Sequence, residues 1–182
     1  MNGGFFGERK TAWAVTVFLI IVSFLGGGAK SLNRMKSVSE KVFYEGVSGD
    51  GLGIQRELDR RIEYARNFIS VANRYIPDEP AVKQLADAAD ALAGSKTVKE
   101  KSDNNQKLTA AASALYERLG SAGISERDAG FRESIFADIK ARNNIILNDG
   151  YNREARDFNA KLAVFPASAL RALRVVSELP VF

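Results

Sequence analysis

Five asparagines, Asn67, Asn143, Asn144, Asn152 and Asn159, stand beside apolar residues in stretches patterned as helices, and each amide offers both donors and an acceptor. Two chemistries suit such a set. Amides along a groove can capture a peptide backbone, whereas amides turned toward neighbouring helices fix their register, as a buried Asn does in a coiled coil. The second reading is preferred. Asn is a poor helix former, so Tyr151-Asn152 and Phe158-Asn159, seven residues apart and each led by an aromatic ring, mark positions set by packing. Arg60 and Arg61 form a double cation able to hold a phosphate or a carboxylate. Glu57 and Glu63 lie within helical reach of them, however, and ordinary surface pairs are expected.

Little else in the chain carries reaction chemistry. Histidine and cysteine are absent, which removes the commonest general acid/base at neutral pH, the thiolate nucleophile and the usual zinc ligands. Asp87 with Asp90, or Glu126 with Asp128, would be the carboxylate pairs to consider. No nucleophile or oxyanion device accompanies them, so they are expected on solvated faces. Neither Gly26-Gly27-Gly28 nor Gly51-Leu52-Gly53 has the Gly-Lys-Ser/Thr ending of a phosphate loop, and no EF-hand pattern occurs. No catalytic residue, cofactor or metal site is therefore expected. The 26 Lys and Arg against 22 Asp and Glu fall to 23 against 21 once Arg9, Lys10, Lys30 and Glu8 are set aside. Such interspersed, balanced charge argues against a nucleic-acid partner.

Those set-aside charges flank a run from Thr11 to Ala29 that contains none. A helix of that length rises roughly 28 Å, close to the roughly 30 Å hydrocarbon core of a bilayer. Residues 11–29 are accordingly expected to be a transmembrane helix touching membrane lipid, after a short tail at 1–10, with Trp13 at the interface. A cleaved signal peptide is the alternative, since Gly27-Gly28-Ala29 supplies small residues before Lys30. The excess of Lys30, Arg34, Lys36 and Lys41 over Arg9 and Lys10 favours a cytoplasmic domain at 30–182.

In that domain every long segment has helical periodicity, and no β pattern appears. Leu32, Met35, Val38 and Val42 form a stripe over 31–44, which the glycine-rich stretch 45–53 ends. From 54 to 76, Leu58, Ile62, Ala65, Ile69, Ala72 and Ile76 make one seam, and Tyr64, Phe68, Val71 and Tyr75 make a second. A helix with two apolar seams belongs at the centre of a bundle. Pro77 to Pro80 stops it, and Ala81–Ala93 follows with Val82, Leu85, Ala89 and Leu92 on one face. Thr97 and Glu100 predict a capping box for a helix reaching Leu119. A last long helix starts at Ser125 and carries Phe131, Ile135, Ile139, Arg142 and Ile146, with Gly150 as the expected break before Tyr151–Val164. Pro166 disfavours helix at Phe165 and starts a short apolar helix through Leu170, Leu173 and Val176.

The segment 151–166, with Tyr151, Asn152, Phe158, Asn159, Phe165 and Pro166, resembles the C-terminal signature of the LemA family of bacterial membrane-anchored helical proteins. Leu58-Asp59-Arg60-Arg61-Ile62 with Asn67-Phe68-Ile69 is similar to the double basic pair and Asn of that family's early helix. Where the family commonly places Pro before that Asn, this chain has Arg66, and the 45–53 loop resembles an insertion. The resemblance implies an all-α protein, an N-terminal transmembrane helix followed by an elongated antiparallel helical bundle. A non-enzymatic, single-pass scaffold or protein-interaction module of the bacterial cell membrane is the expected function, acting on an unidentified protein or peptide partner or through self-association. The alternative is a peptide-binding or chaperone-like membrane adaptor.

Overall fold

The computed structural model describes residues 4–182, with the side chains of 4–9, 20–22, 24 and 25 outside that description; of the expected tail at 1–10, residues 1–3 lie beyond it and 4–10 belong to the first helix. The described residues are all-helical: α1 Gly4–Glu45, α2 Ile54–Ala72, α3 Pro80–Gly94, α4 Val98–Gly120, α5 Glu126–Asn148, α6 Gly150–Ala163 and α7 Ala167–Ala172. No strand occurs among them.

Helix α2 occupies the centre, packing against α5, α3, α4 and α1. Its burial follows the expected seams: Leu58, Ile62, Ala65, Phe68, Val71 and Ala72 are all in the core. The helix ends at Ala72, earlier than its seam predicts. Tight turns replace it, with Tyr75 N–H donating to Ala72 at 2.9 Å and Ile76 N–H to the same carbonyl at 2.8 Å. Those turns aim the Tyr75 hydroxyl at Asp128 on α5, 2.6 Å away. Helix α3 buries Val82, Leu85, Ala89 and Leu92, and α4 buries Leu108, Ala111, Ala112, Leu115 and Leu119, as their spacing predicts.

Local chemistry sets the ends. The Thr97 hydroxyl accepts from Glu100 N–H at 3.2 Å and the Glu100 carboxylate accepts from Thr97 N–H at 3.0 Å, so the expected capping box is present. The expected long terminal helix breaks into α5 and α6 at Gly150, where a Cβ would lie 2.4 Å from Val47 Cγ2. Asp149 caps the new helix by accepting from Tyr151 N–H at 2.8 Å. Helix α6 ends before Phe165 as its proline requires, and the Phe165-Pro166 bond is cis. Three stripe residues depart from expectation: Val38, Phe131 and Leu173 are 60%, 43% and 63% exposed, Phe131 carries the Arg127 guanidinium over its ring, and α7 ends at Ala172, short of the Leu173 and Val176 expected in that helix.

Helix α1 has two halves. Its C-terminal half packs on α6 and α2 through Ser39 and Phe43, with Leu32, Met35 and Val42 partly buried. Its N-terminal half leaves Trp13, Val15, Phe18 and Leu19 exposed. Among the described residues no helix is long and apolar enough to cross a membrane. The expected span at 11–29 includes residues 20–22, 24 and 25, which fall outside the described side chains.

Candidate functional site

The double basic pair divides. Arg60 is exposed and pairs with Glu63 at 3.0 Å, the ordinary surface contact its spacing predicts. Arg61 does the opposite: its side chain is fully buried and meets neither Glu57 nor Glu63. Helical geometry is the reason, because Arg61 lies three residues after Leu58 and four before Ala65, on the face that α2 turns to α4 and α5. Its Nη1 donates to the Asn105 side-chain oxygen and to Asn143 Oδ1 at 2.9 Å, and its Nη2 donates to Thr109 Oγ1 at 2.8 Å. Asn105 Nδ2 donates in turn to Asn143 Oδ1 at 3.2 Å. Every partner is neutral, and the Nε makes no hydrogen bond. Burial without a carboxylate pushes the Arg61 pKa down to about 10. Glu57, one turn earlier, pairs with Arg142 at 3.1 Å instead.

A second polar group sits on α6. Asn159 Nδ2 donates to the Leu179 carbonyl at 2.8 Å and Asn159 Oδ1 accepts from Leu179 N–H at 2.8 Å, so one amide grips both backbone groups of one residue. Asn152, fully buried, accepts from Phe182 N–H at 2.8 Å and donates to the Ile146 carbonyl at 2.7 Å. The Tyr151 hydroxyl donates to the Pro180 carbonyl at 3.0 Å. Burial raises the Tyr151 pKa above its ordinary value. These bonds hold residues 179–182, which have no helix of their own. The Phe182 ring stacks on Phe43 at 5.7 Å, and Leu179 is buried.

The signature residues therefore do neither of the things expected of them in pure form. Asn152 does satisfy carbonyls at the C-terminal end of α5, a structural task, but it and Asn159 bind main chain of an irregular segment rather than a facing helix. Phe158 is buried under α1 and lines a hollow beside Met35 and Ser39. Phe165 is 79% exposed, and Pro166 begins α7. Asn67 is exposed on α2 and joins neither group, while Asn143 belongs to the Arg61 cluster. Sequence reasoning missed Asn105 and Thr109, whose spacing of four puts both on the side of α4 facing Arg61.

The carboxylate pairs are not brought together as catalytic sets. Asp87 and Asp90 are exposed, Asp90 pairing with Arg66 at 3.3 Å. Asp128, expected on a solvated face, is buried, because it accepts from Arg74 at 3.0 Å and from Tyr75 at 2.6 Å and so ties the end of α2 to the first turn of α5. Among the described residues no cluster of Asp and Glu could hold a metal ion. No family model, no curated protein and no solved structure matches this chain.

Proposed function

We propose that this chain is a non-enzymatic, single-pass, membrane-anchored helical interaction module of the LemA type that its sequence resembles, with the bundle on the cytoplasmic side. One observation carries the anchor. The uncharged run 11–29 lies on the half of α1 where Trp13, Val15, Phe18 and Leu19 are left exposed, so lipid is the solvent that suits it. A second apolar set supports the same reading: Val164, Phe165, Leu173 and Val175 are all exposed around α7. Helix α7 meets α1 at Gly28, where a Cβ would lie 3.3 Å from Leu170 Cδ1, so this elbow sits where the run ends. Arg171 and Arg174 beside it suit a headgroup layer. Carbonate extraction of cells expressing the full chain should leave it in the pellet at full length. A soluble product beginning at Lys30 would overturn the anchor.

A second reading, a peptide-binding membrane adaptor, is favoured by the grip of Tyr151, Asn152 and Asn159 on the main chain of a non-helical segment. Main-chain recognition with side-chain pockets alongside is how proteins bind extended peptides. Pull-down from solubilised membranes separates the two. A stoichiometric folded partner supports the scaffold, and a mixture of peptides supports the adaptor.

A further inference from the structure

Residues 179–182 are attached to the bundle in an unusual way for a chain segment. Tyr151, Asn152 and Asn159 bind its backbone at Leu179, Pro180 and Phe182, and the backbone N–H that would be needed between Leu179 and Val181 is replaced by Pro180, which has none to satisfy. Leu179 and the Phe182 ring fill the apolar positions, the ring against Phe43 and Tyr151. The approach to this seat, residues 173–178, is exposed except at Val176, which is buried in the core, and its polar contacts are exposed ones: Lys36 with Ser177 at 2.6 Å and Arg171 with Glu178 at 2.6 Å. Exposed pairs of this kind contribute little. Between α7 and the seat, Arg174 adopts a positive φ of 57°, where the chain turns.

The groove does not stop at Phe182. A hollow of about 210 Å³ runs on between α4 and α5, lined by Phe182, Asn105, Gln106, Thr109 and Asn143. It is continued by a second of about 220 Å³ that shares Thr109 and Asn143 and reaches Arg61, Ser113 and Lys140. That second hollow has two cations on its wall and no carboxylate, and one of the cations, Arg61, is fully buried with its Nε unpaired. A positive, carboxylate-free wall favours an anionic occupant.

We infer that the Tyr151–Asn152–Asn159 groove and its continuation to Arg61 and Lys140 receive an extended segment of a partner protein, of apolar-Pro-apolar-aromatic character followed by acidic residues, and that residues 179–182 are its competitor in cis. The inference rests on the peptide-adaptor reading. The tail matches the first half of that pattern as Leu179-Pro180-Val181-Phe182 and leaves the cationic half empty of side chains from 179–182, so a longer segment gains contacts that the tail does not make. Its tether gives the tail an effective concentration of the order of mM, which is why a partner in trans sees the groove only in the fraction of molecules whose tail has left it.

The test uses the full chain in detergent and two fluorescent probes, a hexapeptide copying residues 177–182 and the same peptide extended by Asp-Glu. Leu179→Asp should release the tail, keep a cooperative helical melt and bind the hexapeptide at least about tenfold more tightly than the unmodified chain does. Adding Asn159→Ala to that variant should abolish binding. The acidic extension should tighten binding a further threefold or more, a gain that Lys140→Glu removes. A Leu179→Asp chain that no longer melts cooperatively would show the tail to be part of the core and would overturn the inference. A folded variant that binds neither probe would overturn the adaptor reading along with it. Binding with no gain from the acidic extension would leave the adaptor reading standing and sink the assigned partner class. Light scattering that finds a dimer of the unmodified chain, dissolved by Leu179→Asp, would make a second copy's tail the occupant in place of a partner.

Discussion

The bundle holds two polar groups that use the same side-chain amide for opposite purposes. At the α2–α4–α5 contact, Asn105, Asn143 and Thr109 surround the Arg61 guanidinium, and every bond except two to the Asn105 carbonyl, from Arg61 and from Thr109, joins side chain to side chain across helices. At α6, Asn152, Asn159 and Tyr151 meet the backbone of an irregular segment. The first group cannot be opened without parting helices and leaving a cation dehydrated. The second can open by moving a few residues, because each amide that lets go of Leu179 or Phe182 can be met by water. An amide on a helix thus fixes architecture when its partners are on other helices, and forms a receptor when its partner is a chain segment that can leave.

The largest effect should come from the group that cannot open. Arg61→Ala removes the donor to three side-chain acceptors and to the Asn105 carbonyl and leaves a cavity among α2, α4 and α5, so it should cost roughly 3 kcal/mol or more in urea denaturation. Asn152→Ala comes next at roughly 2 kcal/mol, since it strips both the Ile146 carbonyl and the Phe182 N–H. Asn159→Ala should cost only about 1 kcal/mol, because the two bonds to Leu179 that it removes are part-buried and Asn159 itself is only half-buried. A cost for Asn159→Ala as large as that for Arg61→Ala would erase the distinction between the groups.

A smaller effect is expected from Tyr151. Its folded pKa lies above the ordinary 10.0, so the stabilising contribution of the neutral phenol is complete below pH 10 and is lost as pH climbs toward the folded value. Tyr151→Phe should sacrifice the bond to Pro180 at neutral pH yet flatten the alkaline loss of stability measured from pH 9 upward. Smallest of all, Arg60→Ala and Asn67→Ala should each stay within about 0.5 kcal/mol, since both residues are exposed.

Much of the fold is legible in the sequence because its signals are local. The Thr97–Glu100 box, the Leu108–Leu119 seam, the break at Gly150 and the stop before Pro166 each depend on residues within a few positions of one another. The site is less legible for two physical reasons. Arg61 occupies a seam position with a charge, and only its distant partners Asn105, Thr109 and Asn143 make that burial tolerable. Asn152 reaches the end of α5 as pattern reading suggests, but its other partner and both partners of Asn159 lie 30 and 20 residues away in a stretch with no periodicity, where no pattern points to them. Asp128 is hidden in the same way, its burial set by Arg74 and Tyr75 across a helix contact.

Native-state hydrogen exchange of the Leu179 and Phe182 amides tests the contrast between the two groups most directly. Both protons are donated to asparagine side chains, to Asn159 and Asn152, whereas the amides of α2 and α4 around Arg61 lie in continuous helix. The account predicts that the Leu179 and Phe182 amides exchange through a local opening insensitive to low urea, with a free energy well below that of the α2 and α4 amides, and that Asn159→Ala removes the protection of Leu179 alone. Exchange of all four regions in one urea-dependent step at the free energy of global unfolding would contradict it, and would make residues 179–182 a fixed part of the bundle.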